Sequence, residues 1–223
     1  MDFFKNWLGR MNYKYGRRAI TNLMNIIVFG MALVFLSDIV LVSQGVNPLS
    51  AVLAFDRSAL FAGQVWRLVS FIIIPVNSSI LFIILSLYFY WLMGTALESE
   101  WGSFKFNIFY LFGVIGTILA GLITGYAVNT FLNMSLFLAF ALLYPDFQMR
   151  LFFLIPVKVK YLAYIEAAYL LFMLIFSSWQ MKIVIFVSLL NIVLFFWTDF
   201  TGGIRRILHK IKWRKNMRNI RWK

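Results

Sequence analysis

The chain has 223 residues, 62% of them hydrophobic and 13% charged, with no cysteine, a single histidine and a formal net charge of +13. A water-soluble domain of this size cannot cover so much apolar surface with so few charges, so the composition excludes one and calls for lipid as solvent. The missing cysteines exclude disulfides, thiolate zinc sites and cysteine nucleophiles; the one histidine, His209, lies in a basic stretch, which excludes imidazole chemistry inside a membrane.

Backbone polar groups in lipid must be satisfied within the segment, so helices are expected to carry the chain across. Residues 1–18, MDFFKNWLGRMNYKYGRR, form a basic segment with Phe3, Phe4, Trp7, Leu8 and Met11 on one helical face. A first span follows at about residues 19–45. Its start resembles a signal peptide, but the apolar stretch is longer than the usual core and no small-residue cleavage site follows, so a retained helix is preferred. Residues 46–78 are interrupted by Asn47, Pro48, Asp56, Arg57, Gly63 and Arg67, and read as a partly membrane-embedded loop. Further spans are expected at about residues 79–97, 104–126, 129–144, 161–176 and 183–200, each tested against the roughly 20 residues that a hydrocarbon core requires. Residues 204–223 form a second basic amphipathic segment, with Ile204, Ile207, Leu208 and Ile211 on one face.

The expected fold class is therefore all-α: a polytopic bundle of six membrane helices over residues 19–203, with an embedded loop between the first two. An even number of spans puts both basic ends on one side, and the positive-inside rule makes that side cytoplasmic. The connection PDFQMRLFFLIPVKVK carries Arg150, Lys158 and Lys160 and falls on the same side, whereas GYAVN and SSWQMK are nearly uncharged. The basic ends either lie against the anionic inner leaflet or extend as solvated tails. Nothing resembles a nucleic-acid recognition module, so no nucleic-acid partner is expected. In the third span Gly113, Gly116, Ala120, Gly121 and Gly125 form a small-residue stripe suited to close helix packing.

GQVWRLVSF, then an apolar helix ending WLMGTALE, then WGSFKFNIFYLFG resembles the rhomboid superfamily of intramembrane proteases and their inactive relatives. The matching positions are Trp66 and Arg67 in the first loop, Gly94 and Glu98 closing the second helix, and Gly102, Lys105 and Phe106 opening the third. The stretches ALLYPDFQMRLFFLIPVKVKYLA and FFWTDFTGGIRRIL are similar to the derlin branch, here of bacterial type. The likeness spans roughly residues 63–208. It implies a rhomboid-like bundle in a bacterial plasma membrane, or alternatively in an endoplasmic reticulum membrane.

Active rhomboids open the fourth helix with a Gly-x-Ser-Gly turn, carry a histidine in the sixth, and add a histidine and an asparagine from the second. Here the fourth helix reads Asn133-Met134-Ser135-Leu136 without the flanking glycines, so the tight turn that exposes a hydroxyl is not readily made. Ser135 stands ten residues before Pro145, about 15 Å along a helix; Thr130 lies nearer the outer surface. Counting back from Glu98 places the family's histidine and asparagine at Phe82 and Ser86, and counting back from Asp199 places the base at Val184 or Ile185. A serine without a base and oxyanion donors is a poor nucleophile. Ser135 is thus expected to be a packing hydroxyl, and the site a degenerate one with no catalytic residue, metal or cofactor.

Arg67 is expected to cap carbonyls of the first loop, with Trp66 anchoring it. Glu98 is expected to accept from amides at the Trp101–Gly102 turn or to pair with Lys105. Asp38, Glu166, Asn191 and Asp199 are the remaining intramembrane polar candidates. Glu166 has Lys158 or Lys160 as possible partners, Asp199 has Arg205 or Arg206, and Asn191 an interhelical hydrogen bond. The resemblance implies a pseudoprotease that binds transmembrane segments of client proteins, in quality control or trafficking. Alternatives are a divergent intramembrane serine protease using Ser135 or Thr130, and a small-solute transporter, against which no inverted repeat or broken helix pair is seen.

Overall fold

The structure is a computed structural model that describes residues 2–76, 79–151 and 155–196. Asp199, His209 and the basic segment 204–223 lie outside the described residues.

The chain folds as a helical, multi-pass membrane protein. Five helices are long and apolar enough to cross a bilayer: α2 (Leu23–Ser43), α6 (Ile80–Trp101), α7 (Ser103–Thr124), α9 (Val159–Phe176) and α10 (Trp179–Phe196). A further apolar helix, α8 (Thr130–Leu143), has 14 residues, about 21 Å at 1.5 Å per residue and short of a full hydrocarbon core. Helix α1 (Asp2–Tyr15) precedes them. Three short helices, α3 (Leu49–Leu53), α4 (Arg57–Phe61) and α5 (Arg67–Ser70), fill the segment between α2 and α6. Where both ends are described, expected and observed helix limits agree to within about four residues; the end expected near residue 200 lies outside the described residues.

Large apolar side chains face outward along the long helices, among them Ile26, Phe29 and Leu36 on α2 and Tyr164, Ile165 and Phe176 on α9. Exposed apolar patches of this extent have no place on a soluble monomer. The inward faces form a core of Met24, Met31, Leu97, Phe106, Phe109, Leu136 and Phe140. Trp101 joins it edge-on to Phe109, with ring centroids 5.3 Å apart.

Close approach depends on glycine. A Cβ on Gly94 would lie 2.3 Å from Met24 Cγ, so α2 and α6 touch only because that atom is missing. In the small-residue stripe, a Cβ on Gly113 would meet Leu132 Cδ1 at 2.4 Å, and one on Gly116 would meet Val187 Cγ1 at 2.4 Å. Gly102, between α6 and α7, has φ +79°, backbone that a Cβ disfavours.

Two short antiparallel pairings depart from the all-α expectation. Strand β1 (Phe55–Asp56) pairs with β2 (Tyr126–Ala127), tying the α2–α6 segment to the α7–α8 connection. Strand β3 (Gln148–Leu151) pairs with β4 (Ile155–Lys158) as a hairpin between α8 and α9.

The segment between α2 and α6 is held by polar contacts as well as by β1. Arg67 Nε donates to Gln64 Oε1 at 2.7 Å, and its Nη1 donates to the carbonyls of Ala51 at 3.1 Å and Ala54 at 2.5 Å. Trp66 Nε1 reaches the Val52 carbonyl at 3.4 Å. Arg57 donates to the Leu122 carbonyl at the end of α7. Asp56 caps α4 by accepting from the Ser58 hydroxyl and the Ala59 amide, which hold its carboxyl below the ordinary value.

Candidate functional site

Glu98, in the last turn of α6, sits at a helix end where its charge gains nothing from the dipole. It accepts instead from the backbone amide of Asn22 at 2.8 Å and the Ser103 hydroxyl at 2.6 Å. That partnership differs from the expected ones, because Asn22 adopts a left-handed φ of 55° at the start of α2 and turns its amide toward α6. Lys105 places its ammonium 5.1 Å from the Trp101 ring centroid. Gly94, Glu98 and Gly102 thus all serve the α2–α6–α7 junction.

Helix α8 is fixed at its start by Asn129, which is buried and donates from Nδ2 to the carbonyls of Ile72 at 3.0 Å and Ile74 at 2.8 Å. Asn129→Leu removes both donors and leaves two carbonyls short of partners, a loss of about 2 kcal/mol. The matching readout is a lower thermal midpoint in detergent, with Asn129→Gln, which keeps an amide, falling between the two.

From that anchor α8 turns Thr130, Asn133, Met134 and Phe137 along one side, at the spacing of a helical face. Helix α9 presents Leu162, Ile165, Glu166 and Tyr169 opposite, and α6 contributes Tyr90 and Met93. Together they enclose an open groove of about 510 Å³. Its walls are apolar apart from Thr130, Asn133, Glu166 and the two tyrosines. Asn133 is 3% exposed, and neither atom of its amide has a hydrogen-bond partner; Glu166 Oε1 is likewise buried and without one. The Tyr90 hydroxyl lies beside Asn133, with no hydrogen bond of ordinary geometry joining them.

The chain matches no family model, curated protein or solved structure.

Ser135 is 1% exposed and its hydroxyl donates to the Leu132 carbonyl at 2.7 Å, one turn back on the same helix. It is not among the residues that line the groove, whereas Thr130 is. Val184 and Ile185 are buried on α10 among Ala120, Phe131 and Leu170, so the place expected for a base is filled by a packed apolar cluster. Phe82 is 47% exposed on α6, and the Ser86 hydroxyl donates to its carbonyl at 2.7 Å. Asp38 accepts from the Ser50 amide at 3.0 Å and lines a separate cavity with Phe35, Ile74 and Pro75. Asn191 makes the interhelical bond expected of it, donating to the Phe109 carbonyl at 3.3 Å. Ser188, on the same helix, donates to the Phe131 carbonyl at 2.7 Å.

The expected partners of Glu166 are engaged elsewhere. Lys158 and Lys160 reach Asp146 at 3.1 and 2.9 Å. Hydrogen bonds from Lys160 and Lys158 hold the Asp146 carboxyl below its ordinary value. Being exposed, these pairs contribute little to stability, but they leave Glu166 with no ion pair among the described residues. The sequence pointed to Thr130 and Glu166 separately, and the structure brings them into one groove. Asn133 and Tyr90 were not singled out; an asparagine one turn from Thr130 in an apolar helix is the signal that could have found the first.

Proposed function

We propose that this chain is a rhomboid-like, derlin-like pseudoprotease that binds transmembrane segments of client proteins without cleaving them. In this reading α2, α6, α7, α8, α9 and α10 form a six-span bundle, with the segment between α2 and α6 embedded in the membrane. Both ends face the cytoplasm of a bacterial cell, and their basic residues meet anionic lipid. The short α8 favours local thinning of the bilayer, because neighbouring lipid adjusts to the shortest apolar element.

The observation that carries the reading is the groove between α6, α8 and α9. It lies open between long helices whose outer faces are apolar, and it offers polar groups that lipid cannot satisfy. A client helix with polar side chains of its own can satisfy them. The case against cleavage rests on Ser135, whose hydroxyl is spent on its own helix, and on the lack of any histidine before residue 209.

A fluorophosphonate probe tests the second half. Purified protein should remain unlabelled under conditions that label an active serine hydrolase to stoichiometry. Stoichiometric labelling that disappears in Ser135→Ala or Thr130→Ala restores the protease reading. For the first half, a photocrosslinking residue at Met134 should capture membrane proteins in native membranes, and one at Phe82, outside the groove, should capture chiefly lipid.

A further inference from the structure

We infer that the groove between α6, α8 and α9 selects client helices that carry a basic side chain within the membrane, with the Glu166 carboxylate as its counter-charge. This rests on the client-binding reading and adds the chemistry of selection to it. A carboxylate on a membrane helix is costly unless it is paired or faces a polar cavity. Glu166 stands seven residues into α9, about 10 Å from the helix start. The lysines nearest in sequence are held by Asp146, and no hydrogen bond or ion pair reaches Glu166 among the described residues.

The surroundings of the carboxylate fit the same occupant. The Asn133 amide oxygen has no hydrogen-bond partner, and the Tyr90 and Tyr169 rings lie on the groove wall. A lysine ammonium brings three donors and a guanidinium five. One carboxylate, one amide oxygen and aromatic faces can accept several of them together. The remaining lining (Val76, Met93, Met134, Phe137, Leu162 and Ile165) is apolar and suits the rest of a membrane helix. An acidic client side chain brings Glu166 no opposite charge, and a purely apolar helix leaves both Glu166 and Asn133 unsatisfied. Charge complementarity therefore favours a helix with one lysine or arginine over lipid, a second copy of this chain, or an apolar helix.

The test uses the full chain in liposomes of phosphatidylcholine and phosphatidylglycerol, with a photocrosslinking residue at Met134. Three synthetic membrane helices are offered, identical except for a central Lys, Leu or Glu. The Lys helix should be captured about tenfold more than the Leu helix, and the Glu helix least. Glu166→Gln should bring Lys capture down to the Leu level. Glu166→Lys should reverse the order in favour of the Glu helix, a gain that a misfolded variant cannot give. Equal capture of all three helices by the unaltered protein overturns the selection of basic clients and leaves client binding standing. Capture of none of them, with adducts only to lipid or to a second copy of the chain, overturns both.

Discussion

Gly94→Leu should leave no folded bundle to purify. Even a single Cβ at this position lies 2.3 Å from Met24 Cγ and 2.4 Å from Met24 Cβ. The second of these atoms is fixed to the backbone, so rotation of the methionine cannot relieve the overlap. Overpacking of a tight core costs about 1–3 kcal/mol and occasionally more, and a leucine adds three further atoms to the overlap. The separation of α2 from α6 also disturbs Glu98, whose partner Asn22 opens α2. The milder Gly94→Ala gives a sharper test of cause. Alone it should lower stability by about 2 kcal/mol. In a Met24→Gly background, where both overlapping atoms are gone, alanine should instead stabilise α6 by up to about 1 kcal/mol through its better helix propensity. Unfolding in mixed micelles by titrated SDS measures both values. The same sign in the two backgrounds would show that contact with Met24 is not why glycine stands there.

Arg67→Ala should have the second-largest effect, confined to one part of the molecule. Its guanidinium ties Gln64, Ala51 and Ala54 together, so truncation leaves the carbonyls of Ala51 and Ala54 without this donor. Hydrogen bonds from charged groups contribute about 1.5–3 kcal/mol each, less where water can replace them. A total loss of about 3 kcal/mol is expected, since the Ala54 contact is partly buried and the Ala51 contact is exposed. Arg67→Lys should recover less than half, because an ammonium on a flexible stem cannot hold all three acceptors in the fork that a guanidinium presents. Limited proteolysis reads where the damage falls. New cleavage should appear between residues 46 and 70, while α9 and α10 stay intact. Uniform loss of the whole protein would mean that the segment between α2 and α6 does not open independently.

The long helices were legible because the signal behind them is strong and local: runs of about 20 apolar residues bounded by polar or glycine-containing turns. The small-residue stripe on α7 was legible for the same reason, since helical spacing alone puts Gly113 and Gly116 on a packing face. The strands were not. Pairing of β1 with β2 joins residues about seventy positions apart, and nothing in a two-residue strand signals its partner. The β3–β4 hairpin lies in a stretch where Arg150, Pro156 and Lys158 read as connection rather than structure. Polar partnerships were legible by donor type but not by address. A guanidinium in the Trp66–Arg67 loop was expected to cap carbonyls, and Ala51 and Ala54 supply them. Glu98 was expected to find donors nearby, yet one comes from Asn22, which only the packing of α2 on α6 brings within reach. The groove itself requires the spatial order of α6, α8 and α9, which hydropathy does not contain. For that reason Thr130 and Glu166 stood apart in the sequence and Asn133 passed as ordinary helix.

Mass spectrometry of a client helix held in the groove tests binding without cleavage most directly. A single-span client should be trapped by a photocrosslinking residue at Met134, in liposomes, and recovered from the adduct at its full length after hours of incubation. Intact client, with capture reduced by bulky substitution at Thr130, is the predicted result. A client shortened at one peptide bond, with the shorter product lost in Ser135→Ala or Thr130→Ala, would contradict it.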